Sequence, residues 1–293
     1  MKKLIITIFT LIFVSGLSAQ SIEVQADYNA VGDCVFSAHN NTQTPVFLHL
    51  KFADLENTTF SEPLPYVKKL SPGFNTLFTL LSDQGEVPRF NYEMKVYRSN
   101  PLTKIDLHFP YLIPFEEGRK VKLFDVKNID GFWGPEGLDS WIATGFYATQ
   151  GEDVFAARNG EVVEIVGKER SGGAASWYHT WNNSVTMLQE DGSLICYHNI
   201  IVPKEQLKVG DKVYAGQKFA SVAVGADNLI LLIYHQSLFS EDLLFVIPEF
   251  VDCKEGKCNI LNSSTEYTVF HPDEVRGLEM TKKEKKKLLE KRN

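Results

Sequence analysis

The chain opens with an apolar run, Leu4 to Val14, behind Lys2 and Lys3, followed by small and polar residues up to Ala19 and Gln20. A basic start, a short apolar stretch and a small residue at the end are the layout of a secretory signal peptide. Residues 1–19 are assigned to that leader, which implies a mature chain exported to the periplasm or the exterior. The run is too short to span a bilayer, and no later segment approaches the ~18 consecutive apolar residues of a transmembrane helix. No membrane span is expected in the mature chain.

Over residues 20–110 the pattern changes to short alternating runs. "PVFLHLKF" places Val46, Leu48, Leu50 and Phe52 on one face and Phe47, His49 and Lys51 on the other, the period-2 signature of a half-buried strand. "NYEMKVYRS" repeats it with Tyr92, Met94 and Val96. "HNNTQTP", "SPGFN" and "SDQGE" supply turns between such runs. Strands at this spacing predict an immunoglobulin-like β-sandwich.

A linker-like stretch, "FPYLIPFEEGRKVK", leads into a second domain over residues 111–272. A glycine- and aromatic-rich segment, "NIDGFWGPEGLDSWIATGFYATQ", shows no clear period. Alternation then resumes, with Val154 and Ala156 separated from Val162, Val163 and Ile165 by the turn "ARNG". Glu190-Asp191-Gly192 marks a hairpin, "LKVGDKVYAGQKFASVAV" carries two more turns, and "NLILLIYH" is an apolar strand. The fold class expected is therefore all-β in two domains. Residues 273–293 form a charged tail with a short helix candidate, "TKKEKKKLLEKRN", expected to be solvated, with attraction to an anionic envelope surface as the other reading.

Composition narrows the partners. The 293 residues carry a formal charge of −7, and two of the 30 basic residues, Lys2 and Lys3, belong to the leader. An acidic chain is poorly suited to nucleic acid, which needs a basic surface to neutralise phosphates. Four cysteines in an exported protein are compatible with disulfides. "VDCKEGKCNIL" sets Cys253 and Cys258 on either side of a Lys-Glu-Gly-Lys turn. Residues facing each other in a hairpin lie roughly 4.5–5.5 Å apart at Cα, within disulfide reach, so this pair is the disulfide candidate. Cys34 and Cys196 are expected as buried thiols. His39, His49 and His108 are scattered singly and read as ordinary strand or surface histidines.

The order "GEDVFAARNGEVVEI", "NNSVTMLQEDGSLICYHNI", "KVGDKVYAGQKFASV" and "NLILLI" resembles the lysostaphin-type (LytM-like) zinc peptidases over roughly residues 111–250. The resemblance implies the small β fold called the duplicated hybrid motif, and an activity that cuts peptidoglycan cross-links with zinc. That chemistry uses a His-x-x-x-Asp pair, a His-x-His on the last core strand and a histidine in a Tyr-x-His-Leu stretch. Three protein ligands then leave a fourth zinc position for water.

Position by position the chemistry is missing. Counting back from Gly151, the Asp falls at Gly145 and the His at Trp141, and no histidine occurs between His108 and His179. Tyr197 keeps the family's tyrosine, but Asn199 stands where its histidine would be. Asn228 and Ile230 replace the His-x-His. His198 is one residue early and His235 five residues beyond Ile230, so strand parity is expected to turn both to the opposite face. A new metal site built from His198, His235 and His179 is the remaining route to zinc.

No catalytic residue, metal ligand or cofactor is therefore assigned, and zinc enters only if ligands come from elsewhere. The expected function is binding in the cell envelope, with peptidoglycan or a wall hydrolase as partner. A working zinc endopeptidase and a purely structural surface protein are the alternatives. Trp141, Tyr197, Asn199 and Asn228 could line the old cleft. Alternatively Trp133, Trp141, Phe146 and Tyr147 fill it as core.

Overall fold

The alternating N-terminal runs fold into two antiparallel sheets. Strands β1 (Ile22–Tyr28), β2 (Cys34–Asn40), β3 (Val46–Glu56), β4 (Tyr66–Leu70), β5 (Gly73–Leu80) and β6 (Arg89–Tyr97) arrange as β1-β2-β5 and β4-β3-β6. The computed structural model describes residues 22–126, 141–167, 183–203, 205–240, 243–254, 257–263 and 265–290. The expected leader lies outside them. Leu48 faces Val96 and Leu50 faces Met94 across the β3–β6 ladder, so the predicted apolar faces meet. Between the sheets Phe36 stacks on Phe78 at 4.7 Å, and Phe52, Phe60 and Phe90 crowd the same core. Each such buried side chain contributes roughly 1.5–3 kcal/mol relative to exposure.

The rest of the chain is also nearly all strand. It runs through β7 (Pro110–Tyr111), β8 (Lys120–Val121), β9 (Leu123–Asp125), β10 (Thr144–Tyr147), β11 (Asp153–Phe155) and β12 (Gly160–Val166). The hairpin predicted around Asp191 follows as β13 (Ser184–Leu188) and β14 (Leu194–His198), then β15 (Ile200–Ile201), β16 (Lys212–Val213) and β17 (Lys218–Val222). Last come β18 (Asn228–His235), β19 (Leu244–Phe245), β20 (Glu249–Lys254), β21 (Lys257–Ile260), β22 (Tyr267–Thr268) and two helices, α1 (Asp273–Arg276) and α2 (Lys282–Glu290).

One large sheet runs β16-β12-β13-β14-β18-β10-β9, and a smaller one runs β11-β17-β15. The continuous apolar run of β18 is explained by burial on both faces. Leu229, Leu231 and Ile233 enter a core with Phe146, Ile195 and Tyr197. Ile230, Leu232 and Tyr234 enter another with Ala143, Val163, Leu194 and Cys196.

One expectation is corrected. The linker-like stretch is core: Tyr111, Leu112, Ile113 and Phe115 are fully buried. Its prolines prevent a regular period, but its backbone is tied down by Leu112 N–H to Ala157 O and Phe155 N–H to Pro114 O, 2.9 and 3.0 Å. The runs on either side of "ARNG" enter different sheets, β11 the small one and β12 the large one. At the crossing Arg158 is only 2% exposed. It pairs with Asp191 at 3.0 Å and Glu279 at 2.6 Å and lies 3.6 Å from the Phe109 ring centre, the compensation a buried cation requires.

Ahead of the lysine-rich run the chain is packed: Val275 lies with Leu112, Ala215 and Val251, Glu279 meets Arg158, and β22 pairs with β8. The run itself, expected to be solvated, is exposed at Lys282, Lys283, Lys285 and Lys286, with Glu284 turned onto Tyr214. In the β20–β21 hairpin Cys253 stands directly opposite Cys258, and Cys258 is disulfide-bonded. Cys34 and Cys196 are free and buried. Among the described residues no helix is long and apolar enough to cross a membrane.

Candidate functional site

Two of the positions where the resemblance places metal chemistry, Gly145 and Ile230, fall on one rung of the large sheet. Ser184 pairs with His198, His198 with Ile230, Ile230 with Gly145 and Gly145 with Phe124, across β13, β14, β18, β10 and β9. Cross-strand neighbours share a face, so these residues stand side by side.

Ile230 is 4% exposed and packs in the cluster that holds Leu232 and Cys196. It offers no lone pair. At Gly145 the space for a side chain is already filled: an added Cβ would overlap Cζ and Cε2 of Phe124 and lie 2.9 Å from Cε1. A glycine inside a strand often marks such a close approach, a signal readable in "WIATGFYA". Which ring made the approach was not readable, because Phe124 sits on a three-residue strand with no period of its own. The Phe124 ring in turn packs against that of Tyr147 with centroids 4.6 Å apart and planes tilted by 39°.

Trp141 donates its indole N–H to the Val126 carbonyl at 3.0 Å, and its ring packs 5.4 Å from that of Phe245. Tyr197 lies on the other face of β14, fully buried. Its hydroxyl accepts the Ala157 N–H at 2.8 Å, and burial raises its pKa. Tyr197 is enclosed in the core, and Trp141 is partly buried. Asn199 takes φ 64°, and its Nδ2 donates to Asn228 Oδ1 at 2.7 Å. Asn228 Nδ2 donates to Asp227 Oδ1, also at 2.7 Å. Of the six positions, Gly145 meets Ile230 and Asn199 meets Asn228. Tyr197 is separated from them by the sheet.

Zinc takes thiolate, imidazole or carboxylate donors in tetrahedral geometry. Isoleucine, a covered glycine, an indole N–H already donated and two amides bonded to each other do not fit it. No group of three or more His, Cys, Asp or Glu able to hold a metal gathers among the described residues.

The parity argument for His198 fails. Asn199 occupies the left-handed region, so alternation stops at the end of β14, and His198 faces Ile230 on the same side of the sheet. His198 Nε2 lies 3.2 Å from Cys196 Sγ, which accepts a hydrogen bond from Thr186 Oγ1 at 3.2 Å. Burial pushes the His198 pKa down to about 3 and the Cys196 thiol up to about 12. A cysteine nucleophile needs a thiolate beside a base, and these shifts favour the uncharged pair. His235 pairs with Leu244 on the other face of β18. At about 3.4 Å per residue it is some 17 Å along the strand from Ile230, so His198 and His235 do not meet. His179 and Trp133 lie outside the described residues.

Phe146 is core, as one reading had it, whereas Tyr147 is 58% exposed. Tyr147 stands opposite Asn228 in the ladder and borders a groove of about 300 Å³ with Arg119, Lys122, Thr149, Asp227 and Glu266. Arg119 is committed within it, pairing with Glu152 and donating to the Tyr147 carbonyl at 2.7 Å. Lys122 and Asp227 leave charge of both signs at the rim.

No family model and no curated protein matches the chain. Among solved structures it is similar to the antimicrobial peptidase lysostaphin from Staphylococcus simulans, with 25% identity over 36% of this chain and 42% of that one and a TM-score of 0.26. It is similar to Csd3 from Helicobacter pylori, with 12% identity over 91% of this chain and 83% of that one and a TM-score of 0.35. A zinc-containing peptidase from Vibrio cholerae aligns at 13% identity over 69% and 52% of the respective chains, with a TM-score of 0.25. The chain spans less than half of lysostaphin's length, 47% in its solution structure.

Proposed function

We propose that this is an exported cell-envelope protein whose lysostaphin-like domain has lost zinc and catalysis and acts by binding, with peptidoglycan as the preferred partner and a wall hydrolase as the other. The observation that carries the reading is the Ile230–Gly145–Phe124 rung, where an aliphatic side chain and an aromatic ring fill the places of two donors. Zinc lowers the pKa of its bound water from 15.7 to about 7. Without it, water at neutral pH is ionised about eight to nine orders of magnitude less, and nothing on the rung replaces that nucleophile.

The binding half of the proposal is supported by the groove beside the rung. Tyr147, held from behind by Phe124, presents an exposed ring face suited to stacking on a sugar. Lys122 and Asp227 flank it with the charges that a peptide bearing free carboxylate and amine groups would meet. The test is incubation with purified sacculi. The chain is expected to pellet with them and to release no soluble fragments, with or without added zinc, and Tyr147→Ala should lower the pelleted fraction. Release of wall fragments that a chelator stops would overturn the reading.

A further inference from the structure

The run Thr281-Lys-Lys-Glu-Lys-Lys-Lys reads as a solvated charge cluster, but the structure sorts its charges. Thr281 N–H donates to Glu284 Oε2 at 2.7 Å, and Glu284 N–H donates to Thr281 Oγ1 at 3.3 Å. This is a reciprocal capping box that starts α2. The same carboxylate accepts the Tyr214 hydroxyl at 2.7 Å and Lys212 Nζ at 3.3 Å. The single acid of the run is thus turned onto the body of the protein. With 3.6 residues per turn, Lys282, Lys285 and Lys286 share the side of α2 away from Glu284. Those three and Lys283 are exposed. Three exposed lysines are thus set side by side on the first turns of α2, on a chain whose formal charge is −7.

We propose that α2 is a docking face for an anionic lipid bilayer, its lysines set against headgroup phosphates. Lysine is a compact point charge without the fork that arginine uses for bidentate recognition, which suits a diffuse layer of charge better than one shaped ligand. Clusters of four to eight basic residues are drawn to anionic bilayers by about fivefold per residue. The acidic excess of the rest of the chain disfavours a polyanion such as DNA that would wrap the molecule, whereas a bilayer meets one face alone. This inference does not depend on the binding reading of the groove.

The experiment is co-sedimentation of the full chain with vesicles of phosphatidylcholine alone and of phosphatidylcholine mixed with phosphatidylglycerol. The difference between the two, compared between the natural chain and the triple variant below, is the readout, so that Lys2, Lys3 and the apolar residues 4–14 contribute equally to both chains. Binding should be at least tenfold stronger to the anionic vesicles. It should be lost when the ionic strength rises from about 0.1 M to about 1 M, where the Debye length shrinks from ~10 Å to ~3 Å. Lys282→Gln/Lys285→Gln/Lys286→Gln, which leaves the capping box intact, should weaken anionic binding by at least tenfold, with about a hundredfold as the upper value. Equal partition into both vesicle types, binding insensitive to salt, an undiminished triple variant, or tighter binding to a DNA duplex than to anionic vesicles would each overturn the proposal.

Discussion

A methyl group added at Gly145 would have to share space with the Phe124 ring, so the residue that replaces an acid in the family pattern is also one that cannot easily grow. Overpacking of this kind costs about 1–3 kcal/mol. Gly145→Ala should therefore lower the urea midpoint, and the cost in the Phe124→Ala background should be smaller because the clashing ring is gone. An unchanged midpoint for the single variant would mean that Phe124 swings away freely. His198 makes a second residue-scale prediction. Its folded pKa is held down to about 3 by burial, against about 6.5 when unfolded. Between those values the unfolded chain binds a proton that the folded chain refuses. Stability is therefore complete above about pH 6.5 and falls as pH drops toward 3. Relative to His198→Leu, the natural chain should lose up to about 1.4 kcal/mol per pH unit from pH 6.5 to 5 in denaturant titrations. A constant difference between the two chains across that window would contradict it. That Gly145 and Ile230 are not zinc-ligand types was readable in the sequence, since it needs only counting. The place of His198 was not, because one left-handed residue, Asn199, ends the alternation on which parity rests.

At the scale of elements, strands with a clear period were legible. The alternation of β3 and β6, the β13–β14 hairpin and the doubly buried β18 all follow from which faces meet apolar neighbours. Segments that lack a period misled. Residues 110–115 lack alternation because prolines interrupt them, yet Ile113 and Phe115 are fully buried. The packing of the stretch before the lysine-rich run was not legible, because its anchoring groups, Val275 and Glu279, are spread among charges. The β20–β21 hairpin sets Cys253 across from Cys258, which leads us to infer that they bond to each other. In denaturant without reductant, two thiols per chain should react with an alkylating reagent, those of Cys34 and Cys196, and four after reduction. Four reactive thiols before reduction would rule the bond out.

At the scale of the whole molecule, one large apolar cluster holds the N-terminal sheets and another, with two smaller ones beside it, the strands that follow. Arg98 spans the join, donating to both oxygens of Glu164 at 2.8 and 3.2 Å, and its N–H meets Gln236 Oε1 at 2.7 Å. The strands of the large sheet are held by Leu229, Leu231, Phe146 and Tyr197 on one face, while Ile230, Gly145 and the Phe124 ring share the other. The central claim is that the second face no longer holds zinc. It is tested most directly by the zinc content of the protein purified from zinc-supplemented medium and dialysed. The account predicts far less than one zinc per chain. One zinc retained per chain would contradict it.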